Sequence, residues 1–145
     1  MTGFRNPSPE QIRTLLDRAQ VIAVVGLSDD PSRPSYGVTD SMRRMNYRIL
    51  PVNPTLSQWQ GLPAFDSVEA AARSLNADER IDIVNVFRRP AQVDAVVDEC
   101  IRLGVGNLWL QQGVINEPAA LRATAAGITV VMDRCIYVDR MAMRG

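Results

Sequence analysis

A doubly wound parallel α/β sheet of about five strands, with helices on both faces, is the fold this 145-residue sequence predicts. Apolar runs alternate with segments of helical period along nearly the whole chain. The runs are close to continuously apolar, as in strands covered on both faces, where a half-exposed strand would alternate. Neither a repeat nor a linker interrupts the alternation, so a single domain spanning residues 1–145 is expected. That length buries roughly two-thirds of the unfolded chain's surface. Right-handed crossovers with a reversal next to the first strand give an expected order of 3-2-1-4-5.

The elements follow in order. Ser8-Pro9-Glu10-Gln11 reads as a helix start, with Ser8 as N-cap, Pro9 at the first helical position and Gln11 completing a capping box. Ile12, Leu15, Leu16 and Ala19 share one face of this helix, which runs to about Arg18. The first strand covers 21–25. A polar loop follows, Gly37 opens a helix, and Val38, Met42 and Met45 recur at helical spacing up to Asn46. The second strand covers 47–52, and 55–65 reads as loop. Ser67 caps a short helix through Ser74. The third strand is 81–87. Pro90 opens a helix whose buried face is Val93, Val96, Val97 and Ile101 and which ends at Gly104. The fourth strand is 107–110, a helix spans about 117–126 and stops at Gly127, and the fifth strand is 128–132. The tail from 133 onward is expected to be irregular.

Composition removes whole classes of chemistry. The chain has no histidine, and all sixteen of its Lys+Arg residues are arginine. A Ser–His–Asp triad, a Cys–His pair, a phosphohistidine, a Schiff-base lysine and a P-loop lysine are therefore impossible. Arginine, the one permanent cation, suits bidentate phosphate binding. Formal neutrality argues against a nucleic-acid binder that works by bulk charge. No apolar run approaches the ~20 residues a bilayer span needs. The amino terminus lacks the apolar centre of a signal peptide, and two cysteines make neither a disulfide scaffold nor a zinc site. A reducing cytoplasm is the expected location, and no metal is expected.

In a doubly wound sheet, ligands bind beyond the carboxyl ends of the strands, at the point where the order reverses. After the first strand come Gly26, Leu27 and Ser28, then Arg33 and Ser35. Gly26 permits a tight turn, Ser28 and Ser35 can donate to phosphate oxygens, and Arg33 supplies charge. This is neither the dinucleotide fingerprint nor a Walker A loop, and a ligand-free turn rich in Pro and Ser is the alternative. Asn53, after the second strand, either hydrogen-bonds a ribose or base or only starts a turn. An NAD site normally has Asp or Glu there, and this chain has none. Phe87-Arg88-Arg89-Pro90, after the third strand, offers an aromatic face and two guanidinium groups, with solvated surface arginines as the alternative. Gln111 and Gly113, after the fourth, suit a polar ligand tail. Trp109 and Cys100 read as packing residues. Cys135 is a candidate reactive thiol beside Arg134, and Asp133 is a candidate acid, base or salt-bridge partner.

Six ordered motifs together resemble the small stand-alone CoA-binding proteins of bacteria. They are Ile22-Ala23-Val24-Val25-Gly26-Leu27-Ser28, Asp30-Pro31-Ser32-Arg33-Pro34-Ser35, Pro51-Val52-Asn53-Pro54, Val86-Phe87-Arg88-Arg89-Pro90, Trp109-Leu110-Gln111-Gln112-Gly113 and Met132-Asp133-Arg134-Cys135. That family is similar to the CoA-binding domain of the succinyl-CoA synthetase α subunit. The resemblance implies a Rossmann-like fold with coenzyme A or an acyl-CoA as ligand. It places the pyrophosphate near Gly26 to Ser35, and the nucleotide and pantetheine portions near Asn53 and Phe87 to Arg89. The synthetase works through a phosphorylated histidine in a further domain, so its ligase activity does not carry over. The expectation is a non-catalytic binding or regulatory module with a small nucleotide ligand, no nucleic acid and no membrane. The alternatives are an NAD or adenine-nucleotide sensor, an acyl-CoA-acting enzyme using Cys135 or Asp133, and a ligand-free protein-interaction domain.

Overall fold

The computed structural model describes residues 3–143. The outermost two residues at each end, including the last two of the expected irregular tail, lie outside the described residues. Helix α1 (Pro9–Arg18) begins with the capping box the sequence predicts. The Ser8 hydroxyl accepts from the Gln11 N–H at 3.1 Å, and Gln11 Oε1 accepts from the Ser8 N–H at 2.8 Å. Strand β1 (Val21–Val25) is buried at every position. Then come α2 (Pro34–Arg44) and β2 (Arg48–Val52). A short hairpin follows, formed by β3 (Gln58–Trp59) and β4 (Leu62–Pro63), and then α3 (Val68–Arg73). Strand β5 (Ile83–Val86) leads through a 3₁₀ turn at Pro90–Gln92 into α4 (Val93–Leu103), capped by Gly104 at φ +71°. The chain finishes with β6 (Asn107–Leu110), α5 (Glu117–Ala125), β7 (Thr129–Met132) and α6 (Ile136–Ala142). No helix among the described residues is long and apolar enough to cross a membrane.

The five main strands form one parallel sheet in the order β2-β1-β5-β6-β7. Counted along the chain this is 2-1-3-4-5, still doubly wound, but not the expected 3-2-1-4-5. Pro51 explains the difference. It lies in β2, and its carbonyl accepts from Phe65 N–H on the outer side. In a parallel strand the N and C=O of one residue face the same side, so the missing N–H of Pro51 also faces outward. A proline is tolerated there only if the strand is an edge. The other flank of β1 is then left for a strand beyond β2, and the third strand takes it. Asp82 fixes that pairing: its Oδ2 accepts from the N–H groups of Gln20 (2.8 Å) and Val21 (2.9 Å).

The reversal sends the two sets of crossovers to opposite faces. Helices α3, α4 and α5 cover one face, over Ala23, Val25, Val84, Val86, Leu108 and Val130. Helices α1, α2 and α6 cover the other, over Ile22, Val24, Ile83, Trp109 and Val131. Four local expectations change. Helix α2 starts at Pro34, and Gly37 lies inside it. Residues 55–65 contain a hairpin. Cys100, fully buried, takes the place on α4 expected for Ile101, which is 38% exposed. The tail after Met132 contains α6.

Candidate functional site at the strand switch point

The order reverses between β1 and β5, so the carboxyl ends of these two strands define the switch point. Gly26, directly after β1, has φ +83°, and its N–H donates to Val52 O at 2.9 Å. A Cβ built on it would stand 2.1 Å from Phe87 O and 3.3 Å from Arg88 Cδ. Only glycine lets the two strand ends close together here, with the Arg88 stem laid across the junction.

The loop beyond Gly26 is organised by side chains that face inward. Leu27 is fully buried. Asn53 Nδ2 donates to Leu27 O at 3.0 Å, and Asn53 Oδ1 accepts from both the backbone and the hydroxyl of Thr55. The Ser35 hydroxyl, on the first turn of α2, accepts from Ser28 N–H at 3.0 Å. Ser28 Oγ accepts from Asp30 N–H at 3.0 Å. Asp30 Oδ1 in turn accepts from the N–H (2.9 Å) and hydroxyl (2.8 Å) of Ser32. These two bonds hold the Asp30 carboxyl below its ordinary value against the opposing effect of burial, and the nearby charge of Arg33 helps them to a lesser degree. Its charge is thus turned back onto its own turn.

What the loop leaves open are donors. The backbone N–H groups of Leu27, Asp29 and Ser35 make no hydrogen bond among the described residues, and neither do those of Arg88 and Arg89 across the junction. Arg33 is the N-cap of α2 and contributes no side-chain cap. The guanidinium groups of Arg33, Arg88 and Arg89 carry no ion pair or hydrogen bond among the described residues. Arg44, Arg48, Arg73, Arg102, Arg122 and Arg134 are all committed to carboxylates. Arg88 is half-buried and Arg33 and Arg89 are exposed, while the Phe87 ring is half-buried against the α1/α2/α6 layer. Open amides, a helix N-terminus and uncommitted guanidinium groups are what a phosphorylated ligand requires.

The β6 and β7 ends differ in character. Gln111 is 3% exposed, and its Oε1 accepts from Ile136 N–H at 3.0 Å, which anchors the start of α6. Gly113, at φ +85°, donates its N–H to Asp133 Oδ1 at 2.8 Å. Arg134 forks onto Asp139 (2.8 and 2.6 Å), not onto Asp133. Cys135 is a half-buried free thiol, whereas Cys100 is buried and its thiol is pushed up to about 12 by desolvation.

Sequence reasoning missed one contributor, Trp59. It is 1% exposed, and its Nε1–H donates to Ser28 O at 3.1 Å. Gln60-Gly61 between two short runs was the available signal, because both residues take positive φ (+50° and +80°), as two-residue hairpin turns demand.

Fold and site together define a Rossmann-like α/β domain with open backbone donors gathered at its switch point. Residues 20–141 match the family described as CoA binding domain, and the chain belongs to that family. YneT, an uncharacterized protein of Bacillus subtilis (strain 168), is 42% identical over 135 residues, covering 93% of this chain and 96% of its own length. A solved Thermus thermophilus structure matches with a TM-score of 0.84 at 34% identity, over 94% of this chain and 99% of its own. A hypothetical protein from Pyrococcus horikoshii OT3 matches with a TM-score of 0.86 at 28% identity over 100% of both chains.

Proposed function

We propose that this chain binds coenzyme A or an acyl-CoA at the β1/β5 junction and performs no chemistry of its own. The observation that carries this reading is that open backbone donors follow both strand ends, on segments that also carry Arg33, Arg88 and Arg89, whose guanidinium groups are uncommitted among the described residues. Membership of the CoA-binding domain family supplies the ligand. The missing acid after β2 leaves the NAD alternative without the group that would hold its ribose. A passive role is supported by the same edge. Asp133 is tied to Gly113, Arg134 is tied to Asp139, and Cys135 has no histidine to activate it.

Titration calorimetry tests the reading. The wild-type protein should bind coenzyme A saturably, and Arg88→Ala should weaken binding by about 1.5–3 kcal/mol, the range for a hydrogen bond to a charged group. Absence of both heat and thermal shift with coenzyme A, acetyl-CoA and dephospho-CoA would overturn it.

A further inference from the structure

The hairpin β3–β4 is tied by hydrogen bonds both to the loop after β1 and to α2. Gln60 Nε2 donates to Tyr36 Oη (3.1 Å) and to Asp40 Oδ1 (2.8 Å), both on α2. Arg43 Nη1, also on α2, donates to Gln60 O (3.2 Å) and Gln60 Oε1 (2.9 Å). The Tyr36 and Trp59 rings meet edge-on with centroids 5.1 Å apart. The hairpin is thereby fixed to the helix whose N-terminus opens on the site, and Trp59 reaches from it to Ser28 O.

Peptide planarity links this bond to the amide that follows it. The C=O of Ser28 and the N–H of Asp29 belong to one trans peptide unit and point in opposite directions. A hydrogen bond that holds the Ser28 carbonyl toward the buried indole therefore turns the Asp29 N–H away from the core. The adjoining peptide unit shows the same construction completed. Asn53 holds Leu27 O, and the opposite end of that unit, Ser28 N–H, lands on Ser35 Oγ. The Asp29 N–H has no such acceptor among the described residues.

We propose that Trp59 is a positioning residue. By holding Ser28 O, it aims the Asp29 amide at an anionic oxygen of the ligand, and the Gln60 network holds Trp59 in place. This rests on the ligand reading above and adds the role of the hairpin. An accepted hydrogen bond at the carbonyl also polarises the unit and strengthens its N–H as a donor.

Trp59→Phe keeps an aromatic ring, smaller than the indole, and removes the donor. It should raise the coenzyme A dissociation constant roughly tenfold, as loss of one aimed hydrogen bond implies. Gln60→Ala leaves the indole intact and should raise it roughly threefold through a looser hairpin. The readout specific to positioning is the Asp29 amide resonance in a ¹H–¹⁵N spectrum. It should shift on coenzyme A saturation of the wild-type protein and stay in place in Trp59→Phe. Equal shifts in both proteins, or no shift in the wild type, would overturn the role of Trp59. Should the wild type not bind coenzyme A, the ligand reading fails by itself. The same comparison with inorganic pyrophosphate then decides the positioning role: a shift confined to the wild type supports it, and any other result overturns it.

Discussion

Gly26 sits where two strand ends, one arginine stem and the start of the loop before α2 meet, so its missing side chain carries several requirements at once. Any Cβ would meet the Phe87 carbonyl, which is backbone and cannot move without parting β1 from β5. Gly26→Ala should therefore cost on the order of 3 kcal/mol, combining positive-φ strain with overpacking. A urea unfolding midpoint equal to that of the wild type would show that the junction yields more easily than its geometry implies. This residue was legible in the sequence because a glycine that ends an apolar run marks a tight turn at a strand end. The roles of Leu27, Ser35, Asn53 and Gln111 were less so. Each lies at the strand-end edge, but their side chains turn inward, to the core or to backbone groups of neighbouring segments. A side chain's partner depends on tertiary geometry, which residue type and spacing do not encode.

Edges separate what single elements reveal from what they conceal. The strands themselves were visible from their apolar runs. The signal for the position of β2 was Pro51, one residue inside a run that otherwise reads as an interior strand. At the opposite edge of the sheet, β7 is protected by the segment before α1. Asn6 Nδ2 donates to Met132 O at 3.0 Å, and Asn6 Oδ1 accepts from Met132 N–H at 2.7 Å, so one carboxamide stands in for a neighbouring strand. Nearby, a groove of 660 Å³ lined by Leu15, Arg18, Thr124 and Val130 leaves the rest of this flank open. Asn6→Ala should lower stability by about 1–2 kcal/mol. It should also speed amide hydrogen exchange at Met132, and unchanged exchange there would remove this role from Asn6. Helix α6 escaped the sequence reading for a different reason. Its seven residues carry β-branched Ile136 and Val138, and the turn is stabilised from outside by Gln111 and by the Arg134–Asp139 pair.

For the whole molecule, the charge pattern fixes how stability follows pH. Without histidine, no side chain with an ordinary pKa titrates between the carboxylates and the thiols. Arg102 and Arg73 hold Glu69 below its ordinary 4.5, and Arg122 with Asn116 holds Asp94 below 3.8. A carboxyl depressed in the folded state contributes stability above its unfolded pKa and loses it as pH falls through the folded one. Burial raises the Cys100 thiol from 9.0 to about 12, so its contribution is complete below pH 9 and is lost as pH rises beyond that. Urea midpoints should thus be flat between about pH 5 and 8, falling below about pH 4.5 and above about pH 9. A slope across the neutral range would expose a titrating group that this pattern omits. The strand order has a further consequence, in the time of synthesis. The first neighbour of β1, Arg48–Val52, is made soon after it, but the other, Ile83–Val86, arrives only after β3, β4 and α3 have been made. A nascent chain therefore carries its fully apolar first strand with one flank bare until residue 86 has left the ribosome. Before that length is reached it has no closed core to condense around, and its amino-terminal half is a segment to be shielded, not a unit that folds alone.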